Sequence, residues 1–290
     1  MYSLKTVTSE IEGAENLKAI VETYKFMAAS SMRRIRNFVL ENRLFHLGLN
    51  GIYQEVKQSY VLMAPEGTKK KRRGKKQAVP VKKKFRSVYM LISANTGLYG
   101  DIIYKTFTKF IEAVRDENPD EVVVIGKMGE SFFKEAMPER KFIHFDFPDT
   151  KMVQEDFKKI AQHLKEFEKV VVFHGVFRSF LSQLPVSSHI SGEILSGDGK
   201  NTERTRYVFE PSLESVALFF ETEIFASLLE QSFHESRLAK LSSRTMLLDR
   251  SGQTIDGFIS KIFLQRQKIL HRISAVKQMD TVRGIVVTSN

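Results

Sequence analysis

Between residues 3 and 58, apolar side chains return at Val7, Ile11, Ala14, Leu17, Val21, Tyr24, Ala28, Met32, Ile35 and Val39, with no proline to interrupt them. Steps of three and four place these residues in one stripe along a helix. At about 1.5 Å per residue such a helix would be on the order of 80 Å long, more than a lone globular helix sustains. A second pattern runs from Ser212 to about Val287, again without proline. Within it Leu248, Gly252, Ile255, Ile259, Ile262, Arg266, Ile269, Ile273 and Val276 alternate by four and three. Apart from Gly252 and Arg266 this is a heptad seam, the pattern that makes helices supercoil. Two long helices at opposite ends of a chain, each with one sticky stripe, most simply bury those stripes against each other, as an antiparallel coiled coil.

The texture changes between them. Residues 87–93, 121–126, 141–145 and 169–173 are short apolar runs rich in Val, Ile, Phe and Tyr, and helical patterns lie between them at 101–116, 128–137 and 152–168. Strand, helix, strand at this spacing indicates a parallel sheet covered by helices. A further β-like stretch, Tyr207-Val208-Phe209-Glu210, follows a loop rich in Gly and Ser from Ser191 to Thr205. The expected fold class is therefore α/β: a long antiparallel coiled coil of the N- and C-terminal helices with an inserted Rossmann-like α/β domain. The boundaries read as 1–60 for the first helix, 61–86 for a loop, 87–211 for the α/β domain and 212–290 for the last helix.

The chain has 290 residues, of which 42% are apolar and 27% charged. That is enough for a core and excludes wholesale disorder. No window approaches the 18 or so apolar residues of a membrane span, and Met1-Tyr2-Ser3-Leu4-Lys5 does not open a secretion signal, so a soluble cytoplasmic protein is expected. The absence of Cys removes disulfides, thiolate zinc sites and cysteine nucleophiles together.

The formal charge of +11 suggests nucleic acid until its location is asked. Lys69, Lys70, Lys71, Arg72, Arg73, Lys75, Lys76, Lys82, Lys83, Lys84 and Arg86 supply all of that excess; what remains is 34 Lys and Arg against 34 Asp and Glu. A mobile basic loop is expected there, not a basic folded surface.

Candidate chemistry is sparse. Gly192-Glu193-Ile194-Leu195-Ser196-Gly197-Asp198 is the nearest approach to a phosphate loop, and Asp198 stands where a lysine is needed. Gly126-Lys127-Met128-Gly129 follows a strand and opens a helix, where backbone N–H groups could hold an anion; a tight turn without ligand is the simpler reading. None of the seven His stands at metal-ligand spacing to another. What emerges is a shape, with no active site.

Several segments then coincide with one family over the whole chain. Thr23-Tyr24-Lys25-Phe26-Met27-Ala28-Ala29-Ser30-Ser31-Met32-Arg33-Arg34 matches a first-helix run close to K-A-M-x-M-V-A-A-S-K-M-R, best from Ala28 onward. Ser93, Gly97, Leu98 and Gly100 keep a strand-end motif like T-S-D-R-G-L-C-G, although Asn95-Thr96 replaces its Asp-Arg. Ile125-Gly126-Lys127-Met128-Gly129 and Tyr207-Val208-Phe209-Glu210-Pro211-Ser212 follow two further patterns. The chain resembles the gamma subunit of rotary F-type ATP synthases. Departures include the polar cluster of the last helix, which here reads His271-Arg272-Ile273-Ser274, and the 69–86 insertion.

That resemblance implies a central rotor shaft, coupling ion-driven rotation to ATP synthesis or hydrolysis. Its partners would be the alpha and beta subunits of the catalytic hexamer, the epsilon subunit and the membrane c-ring. The chain itself would be non-catalytic and bind no cofactor, with ATP, ADP and Mg held by the alpha and beta subunits. Its place would be peripheral, at the cytoplasmic face of the cell membrane, reached through the rotor ring. Met27, Met32, Arg33, Arg34 and Arg266 would contact the beta subunits and pass torque. Ile285, Val286 and Val287, after Gly284, would form an apolar bearing. For the first group the alternative is a solvated helix face, for Arg266 simple exposure, and for the tail a frayed terminus. The Lys69 to Arg86 segment would meet acidic surfaces near the rotor foot or anionic lipid, or stay a solvated loop. The competing class is a coiled-coil nucleic-acid-binding protein using that segment; only Phe85 interrupts the charges with an aromatic ring, so no stacking platform is visible.

Overall fold

The computed structural model describes residues 3–63, 86–190 and 213–288, with side chains left undescribed at 46, 47, 49–63, 213–218, 220, 221 and 283–288. The elements in order are α1 (Leu4–Met63), β1 (Ser87–Ile92), α2 (Ile102–Glu117), β2 (Glu121–Ile125), α3 (Lys127–Ala136), β3 (Ile143–Phe145), α4 (Gln154–Leu164), β4 (Lys169–Phe177), β5 (Gln183–His189) and α5 (Leu213–Thr288). The β-like stretch 207–210 and the loop 191–205 lie outside the described residues. Two compact units result, one of Met1–Ser30 with Arg244–Asn290, the other of Ser31–Ser243.

In the first unit α1 and α5 zip together. Val7, Ala14 and Ala28 are buried seven or fourteen residues apart, with Val21 half-buried between them. An exact seven-residue step winds a left-handed supercoil. On α5, Leu248, Gly252 and Ile262 are buried and Ile255, Ile259, Arg266 and Ile269 half-buried. Lys18 reaches Asp256 at 2.6 Å and Lys25 reaches Asp249 at 3.4 Å. Both pairs sum to 274, so the helices are antiparallel and share one register.

Two details correct the sequence reading. Leu17 and Tyr24, expected on the seam, are 51% and 50% exposed. Their neighbours Lys18 and Lys25 take the seam places, because an aliphatic stem covers apolar surface while its ammonium reaches the facing Asp. On α5, Ile273 and Val276 are exposed. In that register Leu4, the first residue of α1, faces residue 270, so among the described residues α1 does not extend far enough to cover Ile273 and Val276.

In the second unit the sheet order is β3-β2-β1-β4-β5. The first four strands are parallel and β5 runs antiparallel to β4. Met90 of β1 lies between Val123 of β2 and Val172 of β4, deep in the sheet. Central strands of this kind are covered on both faces, hence their unbroken Val and Ile runs. One face packs on Phe157, Ile160 and Leu164 of α4 and Phe225, Leu229 and Phe233 of α5. The other packs on Phe107, Phe110 and Val114 of α2 and Phe133 of α3. The expected α/β class holds, with one addition: sequence reasoning missed β5, so the sheet is mixed. Pro185 faces Gly175 in the register of β5 on β4, and an edge strand is where a residue without an N–H is tolerated.

Helix α5 passes close to the carboxyl ends of these strands by presenting small residues there. Ser236, Ala239, Ser242 and Ser243 are all buried. A Cβ at Gly175 would stand 3.2 Å from that of Ala239, and one at Gly100, which has φ of +61°, 2.5 Å from Ser243 Oγ. Helix α1 joins the same unit through Met32, Ile35 and Val39, which pack with Phe177 and Leu238. Arg43 donates to both carboxylate oxygens of the buried Glu235 and to Phe177 O at 2.9 Å.

Candidate functional site

The residues singled out from sequence fall into three settings. Met27 is 58% exposed and belongs to an outward stripe with Leu17, Ile20 and Tyr24, at steps of three and four. This stripe runs beside the buried seam and leaves a row of large apolar residues in solvent, which a monomeric surface rarely does without a use. Phe26 is even more exposed, at 75%, and Phe258 and Leu264 of α5 are likewise half-exposed. Sequence reasoning assigned Leu17 and Tyr24 to the seam and so overlooked the outer stripe; its signal was present in Ile20 and Met27, which share its spacing.

Met32 differs from Met27, because it packs inward against Ile35, Val39 and Leu238. Arg33 and Arg34 on the same stretch of α1 are exposed. Burial holds the Arg237 guanidinium below its ordinary range, and the charge of Arg34 adds to that effect while Tyr99 opposes it. Arg237 Nε is buried without a hydrogen-bond partner among the described residues. The pairing of Arg43 has the opposite effect: the bond to Glu235 raises its pKa, against the cost of burial.

Arg266 keeps its place on the seam, half-buried, with Nε enclosed and lacking a hydrogen-bond partner among the described residues. No acid pairs with it across the coil among those residues; the register puts Thr8 opposite, and Thr8 Oγ1 donates to Leu4 O at 2.9 Å. Ile285, Val286 and Val287 lie within the helical span of α5, but their side chains are outside the described ones. Lys69, Lys70, Lys71, Arg72, Arg73, Lys75, Lys76, Lys82, Lys83 and Lys84 also lie outside the described residues. Arg86 is described, and its guanidinium stands 4.7 Å from the centroid of the Phe167 ring.

The start of α3, where an anion was conceivable, is taken by the chain itself. Lys127 N donates to Asn95 Oδ1 at 2.9 Å and Met128 N to Ala94 O at 2.9 Å. Gly126 has φ of +92°, and a Cβ there would meet Ala94 N and O at 2.8 Å, so the tight-turn reading accounts for its glycine. His174 is buried, accepts or donates with Ser188 Oγ at 2.9 Å, and has its pKa lowered to about 4 by desolvation. Among the described residues no group of three His, Asp or Glu could hold a metal ion, and no helix is long and apolar enough to cross a membrane.

The described surface thus carries an outward apolar stripe on a zipped helix pair, and comparison with known proteins places the chain. An ATP synthase gamma chain of Desulfitobacterium hafniense is 23% identical over 279 residues, covering 92% of this chain and 94% of that protein. One of Elusimicrobium minutum is 22% identical over the full length of both. The rotor of the Euglena gracilis mitochondrial ATP synthase aligns with a TM-score of 0.57 at 15% identity, covering 93% of this chain and 98% of that one. The central stalk and c-ring structure of the Tetrahymena thermophila mitochondrial ATP synthase gives 0.52 at 15% identity, covering 80% and 99%. Identity that low makes the structural likeness one of fold alone. The model of the family described as ATP synthase matches residues 3–273, almost the whole chain, and by that match the chain belongs to the ATP synthase family, as its resemblance to gamma subunits led one to expect.

Proposed function

We propose that this chain is the central rotor shaft of an F-type ATP synthase. The observation that carries the reading is the single-register zipper of α1 on α5, fixed by Lys18–Asp256 and Lys25–Asp249. A supercoiled pair resists bending and twisting far better than one helix, and stiffness is what a shaft requires. The outward stripe of Leu17, Ile20, Tyr24 and Met27 supplies a face that differs from the rest of the coil. Turning such a face inside a ring of alternating alpha and beta subunits presents each beta subunit with different contacts in succession. Each site is then biased through its conformations by differential contact energy, the only means by which a bound partner shifts such an equilibrium.

In this reading the chain performs no bond chemistry; nucleotide and Mg are held by the alpha and beta partners of a proton-translocating complex. Met27, Arg33 and Arg34 are the exposed candidates for contact with the beta subunits, while Met32 supports the helix from within. Arg266 would meet a group of the surrounding ring, and Ile285, Val286 and Val287 would bear on its upper rim. Epsilon and the c-ring would hold the other end, with the whole peripheral at the cytoplasmic face of the cell membrane. The Lys69 to Arg86 segment would face acidic surfaces or lipid there. The family match favours this reading over the nucleic-acid one, for which no comparison speaks.

The test is purification of the tagged chain from detergent-solubilised membranes of its own cells. Copurification with an ATP-hydrolysing hexamer whose proton pumping is lost when the chain is depleted is the expected result. A chain recovered without that hexamer, or bound to RNA in a salt-sensitive manner, would overturn the reading.

A further inference from the structure

One carboxylate gathers three segments of the sheet unit. Asp149, in the loop after β3, accepts through Oδ2 from Asn95 N at 2.9 Å, Thr96 N at 3.1 Å and Thr96 Oγ1 at 3.3 Å. Its Oδ1 accepts from Lys240 Nζ of α5 at 3.0 Å. The same ammonium donates to Ser93 O, at the carboxyl end of β1, at 2.9 Å, and stands 5.7 Å from the centroid of the Tyr99 ring. The Lys240 and Asp149 side chains are only 8% and 7% exposed. Asn95 extends the network, donating through Nδ2 to Asp146 Oδ1 at 2.7 Å and to Phe147 O at 3.1 Å.

This is an expensive way to hold a helix, since two charges have left water. Apolar packing of Phe225, Leu229 and Phe233 already fastens α5 to the face of the sheet, but the hydrophobic effect is non-directional and by itself sets the rotation of a helix less sharply than a hydrogen bond does. Charged hydrogen bonds to a main-chain carbonyl at a strand end and to a carboxylate seated on two main-chain N–H groups fix the rotation of α5 about its own axis. Small residues on that face, Ser236, Ala239 and Ser243, bring the helix close enough for the ammonium to reach.

We propose that Lys240 and Asp149 are positioning residues for coupling: they lock the rotational setting of α5 on the strand ends, so that a turn of the sheet unit passes into the helix without slip. The proposal rests on the shaft reading above. It distinguishes two properties that ordinary packing would join, the stability of the chain and the number of protons moved per ATP.

The experiment uses the assembled complex in inverted membrane vesicles, with ATP hydrolysis and ATP-driven proton pumping measured side by side and amide exchange followed at Asn95 and Thr96. Lys240→Met with Asp149→Leu removes both charges together, the change that buried pairs tolerate best; Lys240→Arg retains the cation. The double variant is expected to assemble and to hydrolyse ATP within twofold of the parent, with protons pumped per ATP reduced at least threefold. Exchange at Asn95 and Thr96 should rise at least tenfold while Tyr89 to Leu91 stay protected, and Lys240→Arg should recover most of the pumping. Unchanged pumping per ATP in the double variant overturns the proposal. Should that variant not assemble, Asp149→Asn is read in its place, with the same two outcomes. Failure of the shaft reading would be visible separately, as a parent complex that lacks the chain or does not pump, whereas failure of the lock leaves the parent intact and coupled.

Discussion

Replacing Arg43 by Met isolates the pair that ties α1 to α5 in the sheet unit. Glu235 is 4% exposed on its side chain, and Arg43 is its partner on both oxygens, at 2.7 Å on Oε2. Phe177 O would lose its 2.9 Å donor at the same time. Removing one member of a buried pair costs roughly 3–5 kcal/mol, because the surviving charge stays out of water. Arg43 is itself 32% exposed, so water can enter the space it leaves, and the lower end of that range, about 3 kcal/mol, is the working figure. At roughly 2–4 °C per kcal/mol for a protein of this size, the melting temperature should fall by about 6–12 °C. Thermal unfolding of the isolated full chain, followed by circular dichroism, measures this. Arg43→Met with Glu235→Leu should regain most of the loss, since no buried charge then remains. A single variant that loses less than about 1 kcal/mol, or a double variant no more stable than the single, would refute the reasoning.

Other perturbations follow from particular contacts. Gly126→Val should destabilise the sheet unit by several kcal/mol, because any Cβ there would meet Ala94 main chain at 2.8 Å and φ is +92°; recovery of soluble chain and its urea midpoint report it. His174 has a folded pKa of about 4 against an ordinary 6.5, so its contribution is complete above pH 6.5 and is lost as pH falls from there to 4. About 3 kcal/mol is at stake over that window, and His174→Asn should flatten the acid limb of a stability against pH curve.

How much of this was legible in the chain itself depends on where each signal resides. The two terminal helices announce themselves through long proline-free periodicity, and β1, β2 and β4 through Val and Ile runs that only a doubly covered sheet requires. Strand β5 was not legible, because Gln183, Pro185, Ser187 and Ser188 pair with one neighbour only and so carry no apolar run. Leu17 and Tyr24 were misplaced on the seam for a different reason: the charged Lys18 and Lys25 beside them do not count in an apolar pattern, while four methylenes of a lysine side chain can complete a seam. The lock at Asp149 could not be read at all. Its lysine is 91 positions away, and its other partners are main-chain N–H groups whose direction exists only once β1 has ended at the right place. Asn95 and Thr96, which looked like losses from the strand-end motif, are in use, one closing the start of α3 and both seating the carboxylate.

The most direct measurement attaches a bead to the chain while it works. Lys158, exposed on α4, becomes the only Cys of the chain in Lys158→Cys and takes a biotin, while the catalytic hexamer is fixed to glass. On addition of ATP the account predicts sustained rotation of the bead in one direction, stopping when the ATP is spent. A bead that only fluctuates in place, on complexes that hydrolyse ATP at the parent rate, would contradict it.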